Sequence, residues 1–112
     1  MSVACSCGLR APADVYSGVV TNTAAGPITA TAHYRKADGT VEPVTVEIPA
    51  GGSHEFEQRV YAQGSCNLTY VIAKMTIAGA MNAEAAAPFP GVSSPVKGYK
   101  WNVSAGGLAM SL

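Results

Sequence analysis

Residues 28–48, ITATAHYRKADGTVEPVTVEI, carry two alternating runs around an Asp-Gly pair. Ile28, Ala30, Ala32 and Tyr34 take turns with Thr29, Thr31, His33 and Arg35, the period of two that a strand needs when one face is buried and the other wetted. Asp38-Gly39 then supplies residues that tolerate positive φ in a tight turn. Val44, Val46 and Ile48 resume the alternation against Thr45 and Glu47, so a β-hairpin is predicted. Pro43 lacks an amide donor, which puts the early part of the second strand at a sheet edge or a bulge.

Working outward, the same grammar recurs. Residues 15–22 read as a strand, and residues 53–61 read as another, with Phe56 and Val60 on its inner face and Glu55, Glu57 and Arg59 facing water. The run 66–77 is apolar on both faces near its middle, which suits a strand central in its sheet or one that bends between two sheets. Residues 99–104 place Tyr99, Trp101 and Val103 on one face. The alanine-rich run 80–87 is long enough for two helical turns before Pro88, and the whole of 79–98 reads as a long surface loop, with an edge strand near 92–97 as the alternative. The tail after Gly106 is either a last short strand or unstructured. Short strands separated by Gly and Pro turns predict an all-β domain: an antiparallel sandwich, immunoglobulin-like or similar, of six to eight strands with little helix.

Composition agrees. The chain has 112 residues, 48% of them hydrophobic and 12% charged, and its seven basic and seven acidic side chains cancel. That length permits one domain, 1–112, with residues 1–12 a flexible N-terminal segment, and buries about 65% of the unfolded surface on folding. Of the apolar residues 19 are Ala and 22 are Val, Ile, Leu or Phe, so the core is modest and its valine bias favours strands. Nucleic acid is not an expected partner, because a phosphate-binding face needs clustered Lys and Arg. Low charge with zero net charge gives little repulsion between copies, so a homo-oligomer formed through an edge strand is a further expectation.

The first ten residues have neither the basic start nor the apolar run of a secretory signal, and no stretch is long enough for a membrane span. The cytoplasm is the expected location. Cys5, Cys7 and Cys66 fit neither a disulfide framework nor a zinc knuckle, and reduced thiols are expected. A bridge to Cys66, metal capture or lipidation of Cys5 and Cys7 are the alternatives.

No catalytic, metal or cofactor motif is present. His33 and His54 fall on separate strands, where ordinary structural roles are expected; a small metal-binding or enzymatic protein using both is an alternative. Gly51-Gly52-Ser53-His54 lies between two strands and reads as a turn, since a phosphate loop would open a helix. Asn67-Leu68-Thr69 and Asn102-Val103-Ser104 match the glycosylation pattern, but strand positions lower access to them. The remaining candidates are Phe89, Lys97, Tyr99 and Trp101, aromatic and basic residues in or beside the late loop. Aromatic residues concentrate interface energy, although a sole Trp in a small β domain also serves as a core anchor. The function expected is therefore non-catalytic binding, to a protein partner, through loops or a sheet edge.

Asn22-Thr23-Ala24-Ala25-Gly26, Ala50-Gly51-Gly52-Ser53 and Asn67-Leu68-Thr69-Tyr70 resemble segments of the chagasin-type inhibitors of cysteine peptidases. The resemblance covers about a tenth of the chain and implies a leaderless β-sandwich that blocks a papain-like cleft. It departs where the family carries Arg-Pro and an aromatic, since Val71-Ile72-Ala73-Lys74 stands here, and the first loop lacks the family's proline. Peptidase inhibition is thus the alternative function.

Overall fold

The computed structural model describes residues 14–87, 89–92 and 95–112; among them it is all-β, with ten strands and no helix. The N-terminal segment 1–12, with Cys5 and Cys7, lies outside the described residues. The strands are β1 (Gly18–Asn22), β2 (Ile28–Arg35), β3 (Val41–Ile48), β4 (Ser53–Phe56), β5 (Val60–Gln63), β6 (Cys66–Thr69), β7 (Val71–Gly79), β8 (Ala83–Ala86), β9 (Tyr99–Ser104) and β10 (Gly107–Ser111). One sheet has the order β10-β9-β1-β4, a second β3-β2-β7-β8, and β5-β6 is a separate ribbon.

The predicted hairpin is present as β2-β3, with Ile28 opposite Ile48 and Arg35 opposite Val41. Gly39 closes its turn at φ 96°, a conformation that costs most side chains dearly, and the Thr40 amide donates to the Asp38 carboxylate at 2.8 Å. β3 is an edge strand, as Pro43 requires. The strand count exceeds six to eight because two long predicted strands each divide. Residues 53–61 break at 57–59: β4 belongs to the first sheet and β5 to the ribbon, so Val60 is 61% exposed instead of sharing the face of Phe56. The cause is hydrogen bonding across the gap. The Tyr34 hydroxyl donates to the Glu57 carbonyl at 2.8 Å and the Tyr70 amide to the Arg59 carbonyl at 2.9 Å, which draws this backbone toward the second sheet. Residues 66–77 divide at Tyr70 into β6 and β7, and β7 is interior in its sheet.

The predicted helical turns at 80–87 are instead β8, paired antiparallel with β7 from Lys74–Ala86 to Ile77–Ala83. A two-turn helix is marginal alone, whereas β7 offers a ladder, and Lys74 reaches Glu84 at 2.9 Å across the strands. The long loop is thereby shortened, and it is tied down: Phe89 is buried and Val96 bridges Val15. The tail forms β10. All strand pairs but one are antiparallel; β1 and β9 run parallel, which is feasible because most of the chain intervenes between them.

The core follows from alternation. Ile28, Ala30, Ala32 and Tyr34 of β2 face Trp101, Tyr99 and Val103 of β9, with Phe56, Ile72, Met75 and Ile77 in the same cluster. Gly18 is needed at its position: a Cβ there would lie 2.2 Å from a Trp101 ring carbon and 2.5 Å from the Tyr99 carbonyl. Where β1 leaves the sheet, the fully buried Asn22 side chain donates to the carbonyls of Gly26 and Ile48 and accepts from the Ala24 amide. One side chain thus bonds three backbone groups around the turn, the Ile48 carbonyl in addition to its ladder partner.

Candidate binding site

The β2-β3 turn and the β5-β6 ribbon lie at the same end of the molecule, and four of the five tyrosines gather there: Tyr16, Tyr34, Tyr61 and Tyr70. Alternation along β2 turns Tyr34 inward, where it meets Tyr70 edge-on with ring centroids 6.1 Å apart. Tyr61 of β5 packs on the other side of Tyr70 at 4.9 Å. Two cations cover these rings. Arg59 sits 5.2 Å from the centre of Tyr34 and 5.6 Å from that of Tyr70, while the Lys36 ammonium lies 5.3 Å from Tyr61 and 5.9 Å from Tyr70. Each contact of this kind contributes about 0.5–1 kcal/mol at an exposed site.

Hydrogen bonds fix the cluster. The Tyr70 hydroxyl donates to Glu42 Oε2 at 2.7 Å, and Lys36 Nζ lies 3.7 Å from the same oxygen. The Tyr70 hydrogen bond, with Lys36 beside it, holds the Glu42 carboxyl below the usual carboxylate range, and the same bond pushes the Tyr70 phenol up. Burial pushes the Tyr34 phenol up to about 12, against the opposing pull of Arg59. The Ala37 amide donates to the Tyr61 hydroxyl at 2.8 Å, stapling the turn to the ribbon.

A cleft opens on each side. One, of about 330 Å³, is lined by Tyr16, Arg35, Lys36, Tyr61, Asn67 and Thr69 among others. The other, of about 540 Å³, lies between the two sheets over Tyr34, Val44 and Phe56, with His54, Glu57 and Arg59 around it. Tyr34 and Tyr70 are themselves buried, at 1% and 6% exposed, so what is open to a ligand is the half-buried Tyr61 ring with the Arg59 and Lys36 cations and the Asn67 amide around it.

The four residues singled out from the sequence are placed otherwise. Phe89, Tyr99 and Trp101 are 3%, 0% and 0% exposed and pack ring against ring at 5.1–5.6 Å, so they serve the core, and Lys97 alone of the four is exposed. The Tyr99 hydroxyl donates to the Pro90 carbonyl at 2.6 Å, which anchors the late loop on this aromatic cluster. His33 and His54 lie in different sheets; His33 Nε2 is 3.1 Å from the Thr76 hydroxyl and His54 packs on Phe56 at 4.8 Å. Among the described residues no three His, Cys, Asp or Glu side chains converge. Asn67 and Asn102 are exposed although both lie on strands.

Cys66 is disulfide-bonded, which corrects the expectation of a reduced thiol there. The segments carrying the chagasin-type resemblance do not gather at one end. Those at 22–26 and 50–53 meet where the Asn22 amide donates to the Gly52 carbonyl, beside Ile28, whereas Tyr70 adjoins Tyr34 near the far end of β2. The sequence missed the tyrosine cluster because it is assembled from β2, β5 and the bend before β7. Its only local trace is basic residues next to tyrosine, in Tyr34-Arg35-Lys36 and Arg59-Val60-Tyr61, a trace that Lys97 to Trp101 shares. No family model, no curated protein and no solved structure matches the chain.

Proposed function

We propose that this chain is a non-catalytic, protein-binding module whose contact surface is the tyrosine and cation cluster with its two clefts. The observation that carries this is the half-buried Tyr61 flanked by the Arg59 and Lys36 cations, on a floor made by the buried Tyr34 and Tyr70. Tyrosine and arginine supply a large share of binding energy at protein interfaces: tyrosine brings broad contact area and a polar tip with few rotors to freeze, and arginine a planar cation with several donors. Here the rings are already held by one another and by Glu42, so little ordering is left for the binding step. The disulfide at Cys66 favours an oxidising compartment for this activity.

The test is site-specific crosslinking in the cells that make the protein. A photo-reactive phenylalanine analogue at position 61 should capture one defined partner, and the same probe at Thr45, exposed on the outer face of β3, should not. Arg59→Glu should abolish the capture at 61. Equal capture at both positions, or capture indifferent to Arg59→Glu, would refute the assignment.

A further inference from the structure

The sheet β10-β9-β1-β4 ends in two edges of opposite chemistry. At one end, β10 lacks the devices that normally keep a sheet edge from pairing: residues 101–112 contain no charged side chain and no proline. The only charged side chains in residues 85–112 are Lys97 and Lys100. Lys100 lies opposite Ser111 in the ladder and its Nζ is 3.4 Å from the Leu112 carbonyl, so positive charge sits at the tip of β10 beside an exposed leucine side chain.

At the other end, among the described residues β4 pairs with β1 alone, and its outer side opens on the larger cleft. Residues 41–57, which include β3 and β4, hold four of the seven carboxylates, Glu42, Glu47, Glu55 and Glu57, and no Lys or Arg. Glu55 and Glu57 are exposed, and among the described residues neither they nor Lys100 takes part in an ion pair. Glu55, Val19, Lys100 and Ser111 occupy one row across the outer face of the sheet. Both edges of the second sheet are guarded, β3 by Pro43 with Glu42 and Glu47, and β8 by Glu84.

We propose that the β10 edge of one copy docks on the β4 edge of a second copy, continuing the sheet from molecule to molecule. Charge selects this pairing. Two β10 edges would bring lysine toward lysine, and two β4 edges glutamate toward glutamate, whereas β10 on β4 sets Ser111 against Glu55 and leaves Lys100, one strand further in, to reach across Ser111 with its long side chain. The contact is heterologous, so it does not close at a dimer, and the mean mass rises with concentration.

Light scattering and sedimentation of the full chain from micromolar to millimolar concentration test this at low and high salt. Mass should climb with concentration at low salt and fall back at high salt, because exposed charge pairs are screened. Lys100→Glu and Glu55→Lys, both on the wetted face and checked for folding by circular dichroism, should each weaken association roughly fivefold or more. An equimolar mixture of the two variants should recover it, since each supplies the charge the other has lost. A constant monomer mass, a plateau at two copies, association indifferent to either variant, or a mixture no better than its components would each overturn the proposal.

Discussion

Replacing Asn22 by alanine should cost this fold far more than the size of the side chain suggests. Asn22 is 0% exposed, and its amide donates at 3.0 Å to the Gly26 carbonyl and at 3.1 Å to the Ile48 carbonyl, while its oxygen accepts from the Ala24 amide at 2.9 Å. Truncation takes a hydrogen bond from each of three backbone groups, although the Ile48 carbonyl keeps its ladder bond from the Ile28 amide. Two of them, at Ile48 and Ala24, are buried; the Gly26 carbonyl is near enough to the surface to recruit water. Stranding a buried polar group costs about 1–3 kcal/mol, so the sum comes to about 2–3 kcal/mol once the wetted Gly26 carbonyl and the ladder-bonded Ile48 carbonyl are discounted. For 112 residues, an unfolding entropy of about 2.1 cal/mol/K per residue converts that loss into a fall in Tm of about 9–13 °C. Calorimetry of the wild type and Asn22→Ala measures it directly, and urea unfolding with an unchanged slope would show that the native state alone is affected. Asn22→Asp sharpens the test: it keeps the acceptor for Ala24 but turns lone pairs toward two carbonyls, and should be at least as damaging. Thr23→Val removes a single bond, from an exposed hydroxyl to the Val103 carbonyl, and should lower Tm by only a few degrees. If Asn22→Ala shifted Tm by less than about 4 °C, a loss near 1 kcal/mol, the view that this side chain closes the end of the sandwich would be wrong.

Gly18→Ala should drive a methyl into the Trp101 ring and the Tyr99 carbonyl, at a cost of about 2–3 kcal/mol; Trp101 is the sole tryptophan, so its fluorescence and near-ultraviolet circular dichroism should change together with stability. The Tyr34 phenol, raised by burial from 10.0 to about 12, holds its proton more tightly in the folded state, so its contribution is complete below pH 10 and is lost as pH rises from there toward 12. Urea midpoints across that range should therefore decline, and decline less steeply in Tyr34→Phe, with Tyr70 and Tyr99 supplying the remaining slope in the same direction. Without reductant, Cys66 should resist alkylation in denaturant and become labelled once reduced, as read by peptide mass spectrometry; ready labelling of unreduced protein would contradict the disulfide.

The sequence by itself determined the strands and their faces wherever a local period was clear. β2, β3 and β9 were legible because alternate side chains must divide between oil and water, and the Asp-Gly turn because few residues tolerate the backbone it needs. Pro43 marked an edge for an equally local reason, the missing amide. What the tertiary structure alone decided was everything that depends on a partner distant in sequence. Residues 53–61 alternate as one strand would, yet they divide, because Tyr34 and the backbone at Tyr70 compete with β1 for the hydrogen bonds of residues 57–59. The alanines at 80–87 suit a helix or a strand, and the open ladder of β7 settled the choice. Trp101 and Tyr61 look alike in sequence, each an aromatic near a basic residue; packing closed the core over one and left the other half-exposed at a cleft beside Lys36. Alternation fixes which way a side chain points, but whether the space it points into is filled depends on the segments that come to lie opposite.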